Sequence, residues 1–166
     1  MRININTKTY KNLEAAFAGE SMANRKYLYF AKLAKQLGNP EIAKLFEETA
    51  HQETGHAFSH LELIYPPAEM TVEKLLERAI EGELYETNQM YPEFERIARL
   101  EGQPEAMSEF QEQAAESAEH AKIFENAAKR FKALTLVESY HAKRYLNALK
   151  KLPGQKGSAT TNQRPA

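Results

Sequence analysis

Glutamate and histidine recur in this chain at spacings that suit a shared metal ion. Glu53 precedes His56 by three residues, which in a helix places both side chains on one face. A second histidine, His120, has Glu116 four residues before it, Glu119 directly before it and Ser117 in the i−3 slot. Glu20, and Glu83 with Glu86, complete the set. A single E-x-x-H on a Glu-rich helix is ordinarily a solvated pair, and a lone glutamate is ordinarily exposed. Glu86 by itself reads as an i,i+3 neighbour of Glu83. The order is what singles these residues out: Glu alone, Glu–His, Glu alone, Glu–His. A helical bundle that binds two metals in its core needs that inventory, one Glu from each of two helices and a Glu–His pair from each of the others.

The 166 residues contain no cysteine. Disulfides, thiol nucleophiles, iron–sulfur clusters and thiolate zinc sites are therefore excluded within this sequence. A metal here is held by carboxylate and imidazole, a donor set that favours iron or manganese, or a mixed pair. The length suits one domain, read as 1–151 with a disordered polar tail over 152–166. A net charge of −1 gives no electrostatic reason to expect nucleic acid or a membrane surface as partner. No apolar run approaches the length of a spanning helix, and "MRININTKTY" lacks the apolar stretch of a secretory signal. The expectation is a cytoplasmic protein.

Apolar residues recur at helical spacing throughout, so the fold is expected to be all-α. Helices are expected over about 9–37, 40–65, 71–100 and 104–133, with a shorter one over 135–150. "LGNPE" and "EGQPE" mark two equivalent breaks, each with Gly for the C-terminal turn and Pro for the next first turn. These breaks belong to an internal repeat. "LEAAFAGE" (13–20) matches "LERAIEGE" (76–83) at an offset of 63, whereas Tyr27, Phe30, Phe46 and His56 match Tyr91, Phe94, Phe110 and His120 at 64. The second half therefore holds one extra residue between Glu83 and Tyr91. Inside a continuous helix that residue turns everything beyond it by about 100° unless a π-bulge absorbs it. Pro92, which cannot donate to the carbonyl of Asn88, supports an irregular turn there. Two hairpins related by a pseudo-twofold axis imply a four-helix bundle plus a short C-terminal helix.

Tyr27 lies about two turns beyond Glu20, with Tyr91 as its repeat partner. Each is either a core aromatic or a phenol hydrogen-bonded to a metal-bridging carboxylate. His51, His60 and His141 have no repeat partner and are not expected to be ligands.

The stretches "AFAGESMANRKYLYFAK", "IAKLFEETAHQETGH", "EGELYETNQMYPEFERIAR" and "AEHAKIF" resemble the rubrerythrin family over most of residues 10–133. The related symerythrins, short erythrins with strong internal symmetry and no rubredoxin domain, are similar as well. The resemblance implies a ferritin-like bundle holding two irons. Glu20 and Glu83 would be terminal ligands, Glu53 and a fourth-helix Glu would bridge, and His56 and His120 would each cap one iron. Glu86 would be the extra carboxylate that exchanges with His56 when the pair is oxidised. The implied activity is reduction of hydrogen peroxide, with O₂-activating oxidase chemistry and iron storage as alternatives. Family members dimerise, so a homodimer is expected.

The sequence departs from the family pattern twice. Rubrerythrins carry a rubredoxin domain whose four cysteines hold an electron-transfer iron, and no cysteine is present here. Electrons would then come from an external donor protein, rubredoxin-like or a reductase. The family also expects Glu where Ser117 stands. Glu116 sits about 40° from His120 round a helix, and Glu119 about 100°. Glu116 is the favoured fourth-helix ligand, with Glu119 as the alternative.

Overall fold

A computed structural model describes residues 4–151; the polar tail expected from 152 onward lies outside them. The described residues form helices, with no strand among them. α1 spans Lys8–Gln36 and α2 spans Pro40–Ile64. α3 spans Val72–Tyr85, α4 spans Tyr91–Leu100 and α5 spans Pro104–Lys151. Packing clusters into two compact units that meet in the chain at Thr71 and Val72.

In the first unit, the Thr7 side chain caps α1 by accepting the Tyr10 N–H, and Asn39 caps α2 by accepting from Ile42. The turn between them is fixed by Gly38 at φ 77°, with Asn39 N–H donating to Ala34 O at 2.9 Å. That six-to-one bond around a left-handed glycine closes the helix end. The second expected break is built the same way: Gly102 has φ 70°, and Gln103 N–H donates to Ala98 O at 2.9 Å.

The α1–α2 seam is lined by small residues. Ala31, Ala34, Ala43, Ala50 and Ala57 are buried, and Phe46 packs against this row. Across the seam the Asn24 amide donates to Ala50 O at 2.6 Å and to Thr54 Oγ1 at 3.0 Å. A hairpin of two helices encloses only its seam, so its core is alanine. No large side chain is fully buried among the described residues.

In the second unit, α3, α4 and the turn between them pack on α5. That turn, Glu86–Met90, is π-helical, with the Tyr91 N–H reaching back five residues to Glu86 O. It lies inside the interval where the repeat offset changes from 63 to 64. The extra residue is thus absorbed locally, and the helical face is restored by Tyr91.

The repeat is visible in the packing of rings. Tyr27 and Phe30 lie 5.9 and 5.6 Å from Phe46, and Tyr91 and Phe94 lie 6.3 and 5.5 Å from Phe110. The segment 135–150 is helical as expected and continues the fourth helix without a break, giving one helix of 48 residues. Leu134, Val137, Tyr140, Tyr145 and Leu149 along it are exposed.

Glu95 links α4 to α5, accepting from the Arg99 side chain and from Gln111 Nε2 at 2.9 Å. The Arg99 hydrogen bond, then that of Gln111, holds its carboxyl below the usual range. A carboxyl depressed by folding stabilises the fold fully above its unfolded value of about 4.3. That contribution is lost as pH falls through the lower folded value. The thermal midpoint of metal-free protein should therefore drop on acidification below about pH 4, and less steeply in Glu95→Gln. Identical slopes for the two proteins would remove Glu95 from the acid response.

Candidate metal centres

The first unit brings its expected ligands together. Glu20 lies on α1, Glu53 and His56 on α2, and one donor atom from each lies within 4.8 Å of the others. His56 Nδ1 is 2.8 Å from Glu53 Oε2 and 3.9 Å from Glu20 Oε2. The i,i+3 spacing supplies the first contact, and the seam between α1 and α2 supplies the second. The Glu53 carboxyl is held below its ordinary value, first by a hydrogen bond with the Glu20 carboxyl and then by one from His56. Burial opposes the shift, and the His56 charge adds to it. Two carboxyl groups and an imidazole thus converge as an anionic donor set that suits a cation.

The second unit pairs two of its expected ligands, and among the described residues no third carboxylate joins them in a cluster like that of the first unit. His120 Nδ1 lies 3.4 Å from Glu83 Oε2. That oxygen is buried and makes no hydrogen bond, and one turn later Thr87 Oγ1 is in the same condition. Buried polar atoms without partners are uncommon in native proteins. An orphaned carboxylate oxygen beside an imidazole fits a cation ligand. With Glu20, Glu53 and His56 as a ready donor set, the residues fit a carboxylate–histidine metal such as iron.

Other expected ligands are placed differently. Glu119 is exposed and pairs with Lys122 at 2.6 Å. Glu116 is exposed and makes no hydrogen bond or ion pair among the described residues. Glu86, the first residue of the π-turn, accepts a hydrogen bond from Ser117 Oγ at 2.9 Å. α5 is a regular helix through Glu116, so the irregularity in this unit lies opposite, at Glu86.

Tyr27 and Tyr91 both take part in the ring packing described above. Burial, then the charges of Glu86, Glu109, Glu83 and Glu116, push the Tyr91 phenol above its ordinary value. It keeps its proton throughout the neutral range. A Cβ added at Gly19 or Gly82 would meet nothing within 4 Å, so within each hairpin neither glycine serves close helix approach. Sequence reasoning missed two contacts. One is the Asn24–Thr54 bridge beside Glu20 and Glu53. The other is the Ser117–Glu86 bond, signalled only by a serine where the repeat has glutamate.

A family model described as rubrerythrin matches residues 11–128. The chain belongs to the rubrerythrin family. Rubrerythrin from Nitratidesulfovibrio vulgaris is 35% identical over 153 residues, covering 85% of this chain and 69% of that protein. Rubrerythrin from Porphyromonas gingivalis is 39% identical over 129 residues, covering 71% of this chain and 64% of that protein. The chain thus spans about two thirds of the length of these relatives. A solved structure of nigerythrin aligns at 33% identity and a TM-score of 0.39, covering 80% of this chain and 74% of the other. Rubrerythrin-family membership supports a diiron protein of the ferritin-like all-α class. No helix among the described residues is long and apolar enough to cross a membrane.

Proposed function

We propose that this chain is a cytoplasmic non-haem peroxidase that holds two iron ions and reduces hydrogen peroxide to water. The observation that carries the reading is the convergence of Glu20, Glu53 and His56 within 4.8 Å, in a chain of rubrerythrin ancestry. Glu20, Glu53 and His56 would hold one ion, and Glu83 and His120 would anchor the other, with Glu86 as a further carboxylate. Bound as the ferrous pair, the irons would supply the two electrons that convert H₂O₂ and two protons to two waters.

The remaining work falls to the protein. Carboxylates give the oxidised ions a charge-matched setting, which favours electron release. The Tyr91 phenol, kept protonated by burial and its acidic neighbours, would donate a hydrogen bond from its Oη and not give up its proton; Tyr27 holds the matching position in the first unit. Glu86, five residues before it at the start of the π-turn, would relay protons. Each turnover needs two electrons returned. These would come from a rubredoxin-like protein or a reductase, received by a homodimer.

Anaerobically reduced, iron-loaded protein should be oxidised faster by stoichiometric hydrogen peroxide than by air-saturated buffer, followed by the absorbance of the ferric product. Oxidation by air ten or more times faster would replace the peroxidase reading with an O₂-activating oxidase. Large cages on size-exclusion chromatography, with no peroxide consumed under a supplied reductant, would replace it with iron storage.

A further inference from the structure

In the internal repeat, Ser117 occupies the slot that Glu53 occupies in the first unit, because His120 answers to His56 and the intervening spacing is unchanged. The equivalent ring trios show that this register is kept in three dimensions. A ligand position of the first unit is therefore filled by a hydroxyl in the second. Ser117 is only 5% exposed, and its Oγ donates to Glu86 Oε2 at 2.9 Å.

We propose that Ser117 is a positioning residue that holds the Glu86 carboxylate in the place left by the missing fourth-helix glutamate. Glu86, rather than Glu116 or Glu119, is then the second carboxylate of the His120 half-site. This inference rests on the two-metal reading above and concerns how the second half-site is completed.

The geometry argues for this substitution. A serine Oγ stands where the Cγ of a glutamate would, short of where that glutamate's carboxylate oxygens would lie. An oxygen hydrogen-bonded 2.9 Å beyond Oγ reaches into that region. Glu86 can approach because it opens the π-turn, whose extra residue shifts its direction relative to Glu83. Glu83 and His120 already face each other at 3.4 Å. A glutamate at 117 would crowd a second negative charge against Glu86, whereas serine leaves room and supplies a donor. The competing carboxylates are exposed, and Glu119 is occupied by Lys122.

The test is titration of the full-length, metal-stripped chain with cobalt(II), read by visible absorption and by bound metal per chain. Wild type should bind two equivalents. Glu86→Gln should weaken the second equivalent by at least about 100-fold, and Ser117→Ala by about 10- to 100-fold, the usual effect of removing a partner that orients a ligand. Glu116→Gln should leave both equivalents unchanged. Ser117→Glu combined with Glu86→Gln restores a carboxylate from the other side and should recover the second equivalent, which a fold defect could not do. Helical circular dichroism matching wild type keeps the single variants interpretable.

If wild type binds two ions and Glu86→Gln does as well, with affinities within about threefold, the inference fails while the two-metal reading stands. Loss of the second equivalent in Glu116→Gln would transfer the role to Glu116 and also overturn it. If wild type binds fewer than two, the two-metal reading itself falls and takes this inference with it.

Discussion

Replacing Glu53 by glutamine is expected to abolish tight metal binding in the first unit and to lower the metal content of purified protein from two ions toward one per chain. Glu53 sits at the middle of its cluster, accepting from His56 at 2.8 Å with a Glu20 donor atom within 4.8 Å of both. Its depressed carboxyl is anionic at neutral pH, so the amide removes a formal charge from the centre of the donor set. An orienting partner alone is worth about 10- to 100-fold in metal affinity, and loss of the ligand itself should exceed that range. The wild-type site should also release protons when metal enters, because imidazole and carboxylate bind in their deprotonated forms. Affinity should accordingly fall as pH is lowered, and this dependence should shrink in the variant. Unchanged stoichiometry by elemental analysis, with unchanged proton release in weak buffer, would rule Glu53 out as a ligand.

The largest effect on stability is expected at Ala50. Its side chain is fully buried in the α1–α2 seam, and its carbonyl accepts from Asn24 at 2.6 Å. Leucine there adds volume where two helices meet on alanine. Overpacking typically costs about 1–3 kcal/mol, and parting the helices would also break the Asn24 bond, worth about 1 kcal/mol. For a chain of this length the thermal midpoint should fall by roughly 5–10 °C. Leu136→Ala, at a position 66% exposed, should change stability by less than about 0.5 kcal/mol and serves as the control. Because Asn24 lies one turn beyond Glu20, and Thr54 adjoins Glu53, Ala50→Leu should also weaken metal binding in that unit. A midpoint within 2 °C of wild type would show that the seam tolerates separation.

Much of this architecture is legible in the sequence because it is written twice. The two glycine breaks are recognisable from paired "GNPE" and "GQPE" runs, and both glycines adopt the left-handed conformation such runs imply. The π-turn is legible from a change of one in the repeat offset, since a helix cannot take in one residue without either rotating its face or bulging. Glu53 and His56 are legible because their spacing follows from helix geometry, and Glu20 because the repeat pairs it with Glu83. Less can be read where the answer depends on contacts between distant residues. Which of two glutamates near His120 turns inward is not encoded in their angles alone. The structure leaves both exposed and brings Glu86 to Ser117 from a helix 31 residues away. The continuity of α5 past residue 133 is a similar case: the sequence marks no break there, and apolar spacing alone does not distinguish one helix from two.

The paired ring trios separate two tasks that usually constrain each other. Tyr27–Phe30–Phe46 and Tyr91–Phe94–Phe110 act as alignment pins, setting the register of each hairpin a few turns away from its carboxylates. With register fixed by hydrocarbon, ligand positions can be edited one at a time without displacing the histidine opposite. Ser117 in the place of a glutamate is such an edit, carried on an otherwise unshifted frame. Either hairpin should therefore accept a change at one polar position without losing its register.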